Sequence, residues 1–307
     1  MLTSPTPTTE SVARAAAEIS DGTLGGALVE PWPRARSHHA FLLSTAAGQF
    51  LMRVHKLEHP GRMRRMLRVV ELLAEHGVPH PRVRWWDFDR RTLPAAYFIQ
   101  EFMPGEDGSQ ALPELTRADH ERIGAEIGHG LLRMHGISYE DTPTPWLTEF
   151  DERMRVRVAE AAELGALSEP ERRRVVAYYQ DRRFALEGVP RRLTHDDLRL
   201  EHLLFVRRTD GWHFSVFMDF ERTRGRDPLL DIARVRTLVF DACPTALPAF
   251  DHAYGELAGP DDETRARLEL YAMYLLIWGV PWSRHAGLAT READYRRRLA
   301  DWLTGSR

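Results

Sequence analysis

The hydrophobic pattern of this chain changes period at Met103-Pro104-Gly105, and that change restricts the architectures open to it. Before this point the apolar residues fall mostly in short β-type runs. Phe41 to Thr45 and Gln49 to Val54 flank Ala46-Ala47-Gly48, which predicts a hairpin with a three-residue loop. Arg82 to Phe88 and Ala96 to Phe102 predict two further strands. Between the two pairs, Met63, Met66, Leu67, Val70 and Leu73 recur at helical spacing, and Gly77 is a stop signal. After the break, helical periodicity dominates, over roughly 116–136, 149–165, 168–187, 229–241, 245–258, 261–281 and 290–303. One hairpin interrupts it: Leu203 to Arg207 and His213 to Asp219 flank a turn at Asp210-Gly211. A chain of 307 residues exceeds what one hydrophobic core usually serves. The expected class is therefore α+β in two lobes. Residues 1–103 form a small antiparallel-sheet lobe, and 104–307 form a larger, mainly helical one.

Composition removes several function classes. The net charge of -3 and sequence pI near 6.5 call for neither nucleic acid nor an anionic membrane as partner. A single cysteine, Cys243, permits no internal disulfide and no cysteine-based metal site. The polar start MLTSPTPTTES lacks a basic-then-apolar signal, and the longest apolar candidate, Tyr271 to Val280, is too short to span a bilayer. The expectation is a cytoplasmic monomer or homodimer.

Two segments carry chemistry: THDDLRLEHLLF (194–205) and VFMDFERTRGRDPLLDIA (216–233). Asp197 precedes the first β-run of the interrupting hairpin, and Asp219 ends the second. The turn brings these ends to one side, with His202 between them in sequence. Phosphoryl transfer needs such a group. One carboxylate orients or accepts the hydroxyl proton of the nucleophile, and other ligands hold Mg²⁺ across the phosphates.

The two segments resemble the catalytic and metal-binding segments of the aminoglycoside-phosphotransferase family, within the protein-kinase-like fold. His195-Asp196-Asp197-Leu198-Arg199-Leu200-Glu201-His202 matches H-x-D-x-x-x-x-N except at its last position. The resemblance implies Asp197 as catalytic base, Asp219 as metal ligand, and Asp231, in Gly225-x-Asp227-Pro228-x-x-Asp231, as a brace for the catalytic loop. A subgroup acting on the aminoglycoside 2″-hydroxyl has histidine where His202 stands, which implies His202 as second Mg²⁺ ligand.

Other parts of the chain extend the likeness. Phe50-Leu51-Met52-Arg53-Val54 is similar to the strand whose Arg or Lys reaches the nucleotide phosphates. Gln100-Glu101-Phe102-Met103-Pro104-Gly105 resembles the inter-lobe linker, implying main-chain contacts from Glu101 and Met103 to the purine. The expected phosphate-covering loop is glycine-poor, so Arg34, Arg36 and the Ser37 hydroxyl would supply donors. Met66 stands where protein kinases place a helix glutamate; Glu58 or Glu71 are the alternatives. Glu221 is the expected substrate contact, and Asp227, Asp251, Asp261, Asp262 and Glu263 either add to an acidic substrate surface or are helix-end residues. Tyr271, Tyr274, Trp278 and Trp282 form a stripe that is either core or pocket.

The implied function is a kinase that moves the terminal phosphoryl group of ATP or GTP onto a small hydroxylated molecule. An aminoglycoside or other antibiotic or natural product is the first expectation, which would make the chain an antibiotic-resistance or biosynthetic enzyme. The alternatives are a kinase for a nucleoside, sugar or amino alcohol, and a nucleotide-binding pseudoenzyme.

Overall fold

Strict alternation along two strands divides one sheet into two chemically different faces, and this division organises the N-terminal part of the molecule. The structure, a computed structural model, describes residues 6–33, 38–55, 60–255 and 260–305. By packing density the described chain forms two units, one of residues 1–110 with 202–222 and one of 111–201 with 223–307.

The first unit begins with α1 (Thr9–Ile19), capped by the Thr8 hydroxyl accepting from the Ser11 N–H. Strands β1 (Leu28–Pro31), β2 (His38–Thr45), β3 (Gly48–His55), β4 (Val83–Asp87) and β5 (Tyr97–Glu101) form an antiparallel sheet in the order β1-β2-β3-β5-β4. Helix α2 (Pro60–Glu75) links β3 to β4. The β2–β3 hairpin closes at Thr45↔Gly48, so its loop is Ala46-Ala47 and not the three residues expected. Gly48 sits at φ +124°, a conformation costly for a residue with Cβ, and so joins the strand instead of the loop.

Side chains two residues apart share a face of a strand. Phe41, Leu43, Phe50, Met52 and Val54 lie on one face and pack with Val12, Ala15 and Ala16 of α1 in a single apolar cluster. The other face carries His38, Ala40, Arg53 and His55, with Leu42 and Leu51 towards the hairpin loop. The apolar face supplies the core, and the opposite face is left for polar chemistry.

The interrupting hairpin, β8 (Leu203–Arg208) and β9 (Gly211–Phe217), belongs to this unit because β6 (Glu106–Asp107) pairs with β8. The Phe217 N–H also donates to the Pro79 carbonyl at 3.0 Å. Gly105, at φ +139°, lets the chain pass close to β8, since a Cβ there would strike the Phe205 carbonyl.

The second unit is mainly helical. The short α3 (Gly108–Ala111) ends the first unit, and the second contains α4 (Arg117–His135), α5 (Trp146–Glu163), α6 (Glu169–Arg182), α7 (Leu229–Arg234), α8 (Leu247–Tyr254), α9 (Asp262–His285) and α10 (Ala289–Thr304). Strands β7 (Arg192–Thr194) and β10 (Arg224–Arg226) form a small antiparallel ladder. Thr116 and Asp119 make a capping box for α4, and Asp261 caps α9 by accepting from the Thr264 N–H at 2.7 Å. Leu268 to Val280 of α9 are buried almost all round, as expected of a central helix. The helix runs through Pro281 to His285, beyond the end expected at 281.

The aromatic stripe on α9 divides. Tyr271 and Tyr274 are core: Trp146 Nε1–H donates to the Tyr271 hydroxyl at 2.7 Å, and Phe150 packs against both rings. Trp278 and Trp282 stack at 5.2 Å and line a cavity of about 160 Å³ that Arg199 and Arg291 also border. None of the helices described is long and apolar enough to cross a membrane.

Candidate functional site

The catalytic-loop candidate lies between β7 and a 3-10 turn at Leu200–His202. It is held from below by Asp231, which is fully buried on α7. The Asp231 carboxylate accepts from the His195 N–H at 2.6 Å and from the Asp196 N–H at 2.9 Å. His135 stands 3.3 Å from the same carboxylate and is itself held at 2.9 Å by the Tyr254 hydroxyl. The brace expected of Asp231 is thus visible as paired backbone hydrogen bonds. The His195 ring accepts the Asp197 N–H at Nδ1, over 3.3 Å. Asp197 itself is partly buried, with Arg199 Nη2 3.7 Å from its Oδ2.

Between these two residues, Asp196 is a site component that the sequence reading did not single out. It is buried at φ +59°, uncommon for a residue other than glycine. Arg226 donates to it directly, and Arg153 and Arg234 lie at 3.7 and 3.8 Å. Burial alone would raise the Asp196 carboxyl, but Arg226, Arg153 and Arg234 outweigh it and hold the group well below the usual carboxylate range. Arg226 also reaches Glu149 at 3.1 Å, so the charges form a network that fixes the loop from the side. In sequence Asp196 reads as a spacer; the three arginines that define it come from α5, β10 and α7.

In the first unit, Asp219 follows β9 at φ +66°, immediately before the 3-10 turn Phe220–Arg222. His202 Nε2 lies 3.6 Å from Asp219 Oδ2, and Arg53 Nη2 lies 3.8 Å from the same oxygen. The Met218 N–H donates to the His202 carbonyl at 2.8 Å, which fixes the spacing of the two residues. Arg53 and His202 thus both approach the same oxygen of Asp219. Among the described residues Arg53 finds its ion-pair carboxylate at Asp219; Met66 is buried and Glu71 exposed on α2. Ser37, Arg34, Arg36 and Glu58 lie outside the described residues.

The donor set suits a hard divalent cation through Asp219. Mg²⁺ is ordinarily held by one or two carboxylates, with phosphates and waters completing its shell. His202, at 3.6 Å from Asp219, adds a nitrogen donor that such an ion tolerates less readily.

The remaining expected site residues are distributed as follows. Glu101 ends β5; its N–H donates to the Arg82 carbonyl at 2.9 Å and its side chain accepts from Arg84. Met103 lies in the non-strand segment that follows. Glu221 is buried against His38 of β2, at 2.7 Å. Asp227 is fully buried and accepts from Tyr271 at 2.7 Å and Arg267 at 3.1 Å, so it is an internal support and not part of an acidic surface. Asp251 pairs with Arg236 at 2.6 Å.

The family described as "Phosphotransferase enzyme family" matches residues 29–271. No curated protein matches by sequence. Solved structures do match by fold. The GDP complex of aminoglycoside 2'-phosphotransferase-IIIa has a TM-score of 0.66 at 12% identity, covering 97% of this chain and 99% of that one. The GDP and kanamycin complex of APH(2″)-IIIa gives 0.65 at 15% identity, covering 97% and 98%. A thermostable mutant of APH(4)-Ia, in a ternary complex with AMP-PNP and hygromycin B, gives 0.67 at 15% identity, covering 96% and 98%. These likenesses establish a protein-kinase-like α+β fold, with an antiparallel sheet in the N-terminal part and a mainly helical C-terminal part.

Proposed function

The chain belongs to the phosphotransferase enzyme family, and we propose that it transfers the terminal phosphoryl group of ATP or GTP to a hydroxyl of an aminoglycoside or a related polyhydroxylated natural product. It is a phosphotransferase with an alcohol group as acceptor. The observation that carries the finer reading is the grouping of Arg53, Asp219 and His202 about one carboxylate oxygen.

In this reading Asp197 accepts the proton of the substrate hydroxyl as its oxygen bonds to the terminal phosphorus. The bond from phosphorus to the bridging oxygen breaks, the nucleoside diphosphate leaves, and the proton passes from Asp197 to solvent. Arg53 offers the phosphates a planar, permanently charged fork. Mg²⁺ held by Asp219 and His202 would supply charge neutralisation across the phosphate oxygens. The main chain at Glu101 and Met103 would contact the purine. The brace by Asp231 and the charge network at Asp196 support the role of Asp197, because they orient its backbone before any ligand arrives. Glu221 is given no substrate role in this reading, since its carboxylate is turned into the protein against His38. The kanamycin and hygromycin B complexes of two structural relatives make aminoglycosides the first compounds to test.

Mass spectrometry of aminoglycosides incubated with the chain and Mg-nucleotide should show one phosphate-sized gain. Asp197→Asn should abolish the gain while Mg-nucleotide still raises the melting temperature. Asp219→Ala should abolish the nucleotide-dependent shift as well. Turnover that survives Asp197→Asn would overturn the assignment of the base. A second reading, a nucleotide-binding pseudoenzyme, is favoured by the buried Met66 on α2 where a cation-pairing glutamate is usual. It predicts the melting shift with no turnover on any hydroxylated substrate.

A further inference from the structure

On the face of the sheet that carries Arg53, two histidines stand side by side. His38 opens β2, His55 closes β3, and the register makes them direct cross-strand partners. Their ring centroids are 4.3 Å apart. Glu221, from the 3-10 turn after Asp219, brings Oε1 to 2.7 Å from His38 Nε2. One donor atom from each of the three residues lies within 4.8 Å of the other two, the one such group among the described residues.

All three are more than nine-tenths buried, with relative exposures of 5%, 7% and 8% for His38, His55 and Glu221. Yet both ring nitrogens of His38, Nε2 of His55 and Oε1 of Glu221 lack a hydrogen-bond partner among the described residues. The 2.7 Å approach of His38 to Glu221 is short enough for a hydrogen bond but is not aligned as one. A buried polar atom left unsatisfied loses its hydration without compensation, and several together burden a fold that is only marginally stable. Donor atoms that converge on one point in a buried cluster are an arrangement that a cation can chelate.

We propose that His38, His55 and Glu221 bind a zinc ion, with water as the fourth ligand, at a site separate from the Asp219–His202 pair. Two imidazoles and one carboxylate form a zinc donor set, whereas Mg²⁺ and Ca²⁺ favour oxygen throughout. Ligands about 2.0–2.1 Å from a tetrahedral zinc stand ~3.4 Å apart, so the His38–Glu221 pair at 2.7 Å must open by about 0.7 Å and a pair at the 4.8 Å limit must close by about 1.4 Å, within reach of side-chain rotation. Burial is the main influence lowering the pKa of His55, to about 4, so the ring presents the neutral nitrogen that coordination requires. Asp219 and Arg53 also act on His55. The ion would fasten the open ends of β2 and β3 to the turn two residues beyond Asp219, and so hold Asp219 and Arg53 in register whether or not phosphoryl transfer is the reaction.

The test is zinc titration calorimetry on the chelator-stripped full chain. One tight equivalent is expected, kept in Asp219→Asn. In His38→Gln, His55→Gln and Glu221→Gln, affinity should fall more than about 100-fold, beyond the 10- to 100-fold typical of an outer-shell partner. Should those variants fail to fold, X-ray absorption on the zinc-loaded unmodified chain decides the matter: two imidazole ligands support this site, and one imidazole points to His202 and Asp219 instead. A chain that binds no zinc at micromolar concentration, or a His55→Gln variant that keeps the tight equivalent, overturns the proposal.

Discussion

The loop around Asp196 and the sheet face around His55 are both buried, both polar and both rich in charge, but they balance that charge in opposite ways. At Asp196 the charge is balanced from within the chain, by a hydrogen bond from Arg226 and by Arg153 and Arg234 at 3.7 and 3.8 Å, although Asp196 Oδ1 lacks a hydrogen-bond partner among the described residues. Beneath it, Asp231 saturates two backbone N–H groups. At the sheet face, Arg53 and His202 approach Asp219 only to 3.8 and 3.6 Å, longer than hydrogen bonds, and His38, His55 and Glu221 crowd together with polar atoms unsatisfied. The first region balances its charge with residues of its own unit. The second is where the proposed phosphate, divalent cation and zinc would be held.

That contrast can be broken most directly at Asp196. Asp196→Ala leaves Arg226, Arg153 and Arg234 without their shared carboxylate and should cost about 3–5 kcal/mol in urea unfolding. The carboxyl is held below its ordinary range in the fold, so its contribution is present above the unfolded pKa near 4 and lost as pH falls through the lower folded value. A loss under about 1 kcal/mol would mean that the network is not the anchor described here.

The next effect, of opposite origin, is at His55. Its pKa is lowered from 6.5 to about 4, first by burial and then by His38. The unfolded chain therefore takes up a proton between those values that the folded chain refuses. For the metal-free protein, stability should be indifferent to this group above pH 6.5 and should decline by about 3 kcal/mol as pH falls to about 4. His55→Gln should remove that slope from a plot of urea midpoint against pH. An unchanged slope would show that the sheet face is better compensated than its geometry indicates.

The smallest expected change sharpens the comparison at Arg53. Arg53→Lys keeps the charge but removes the fork and should weaken nucleotide binding about 10-fold, near 1.4 kcal/mol, measured by calorimetry at fixed Mg²⁺. Equal affinity would remove Arg53 from the nucleotide site.

Much of this molecule could be read along the chain. The break at Met103-Pro104-Gly105, the β2–β3 and β8–β9 hairpins and the order of Asp197 and Asp219 follow from patterns a few residues long, because periods of 2 and 3.6 and turn chemistry are local, whereas the brace at Asp231 was implied by the family resemblance. What escaped was set by segments distant in sequence. Asp196 is separated by 30 residues from Arg226, and only tertiary packing turns it from a spacer into the most compensated carboxylate of the loop. Glu221, expected at a substrate surface, is drawn under the sheet by His38. The stripe on α9 divided between core and cavity according to which neighbours covered each ring. Local pattern thus determined the elements and the order of their chemistry. Which charges are compensated, and which are left for a ligand, was decided by burial and by strand register, since both depend on residues that no short window of sequence contains.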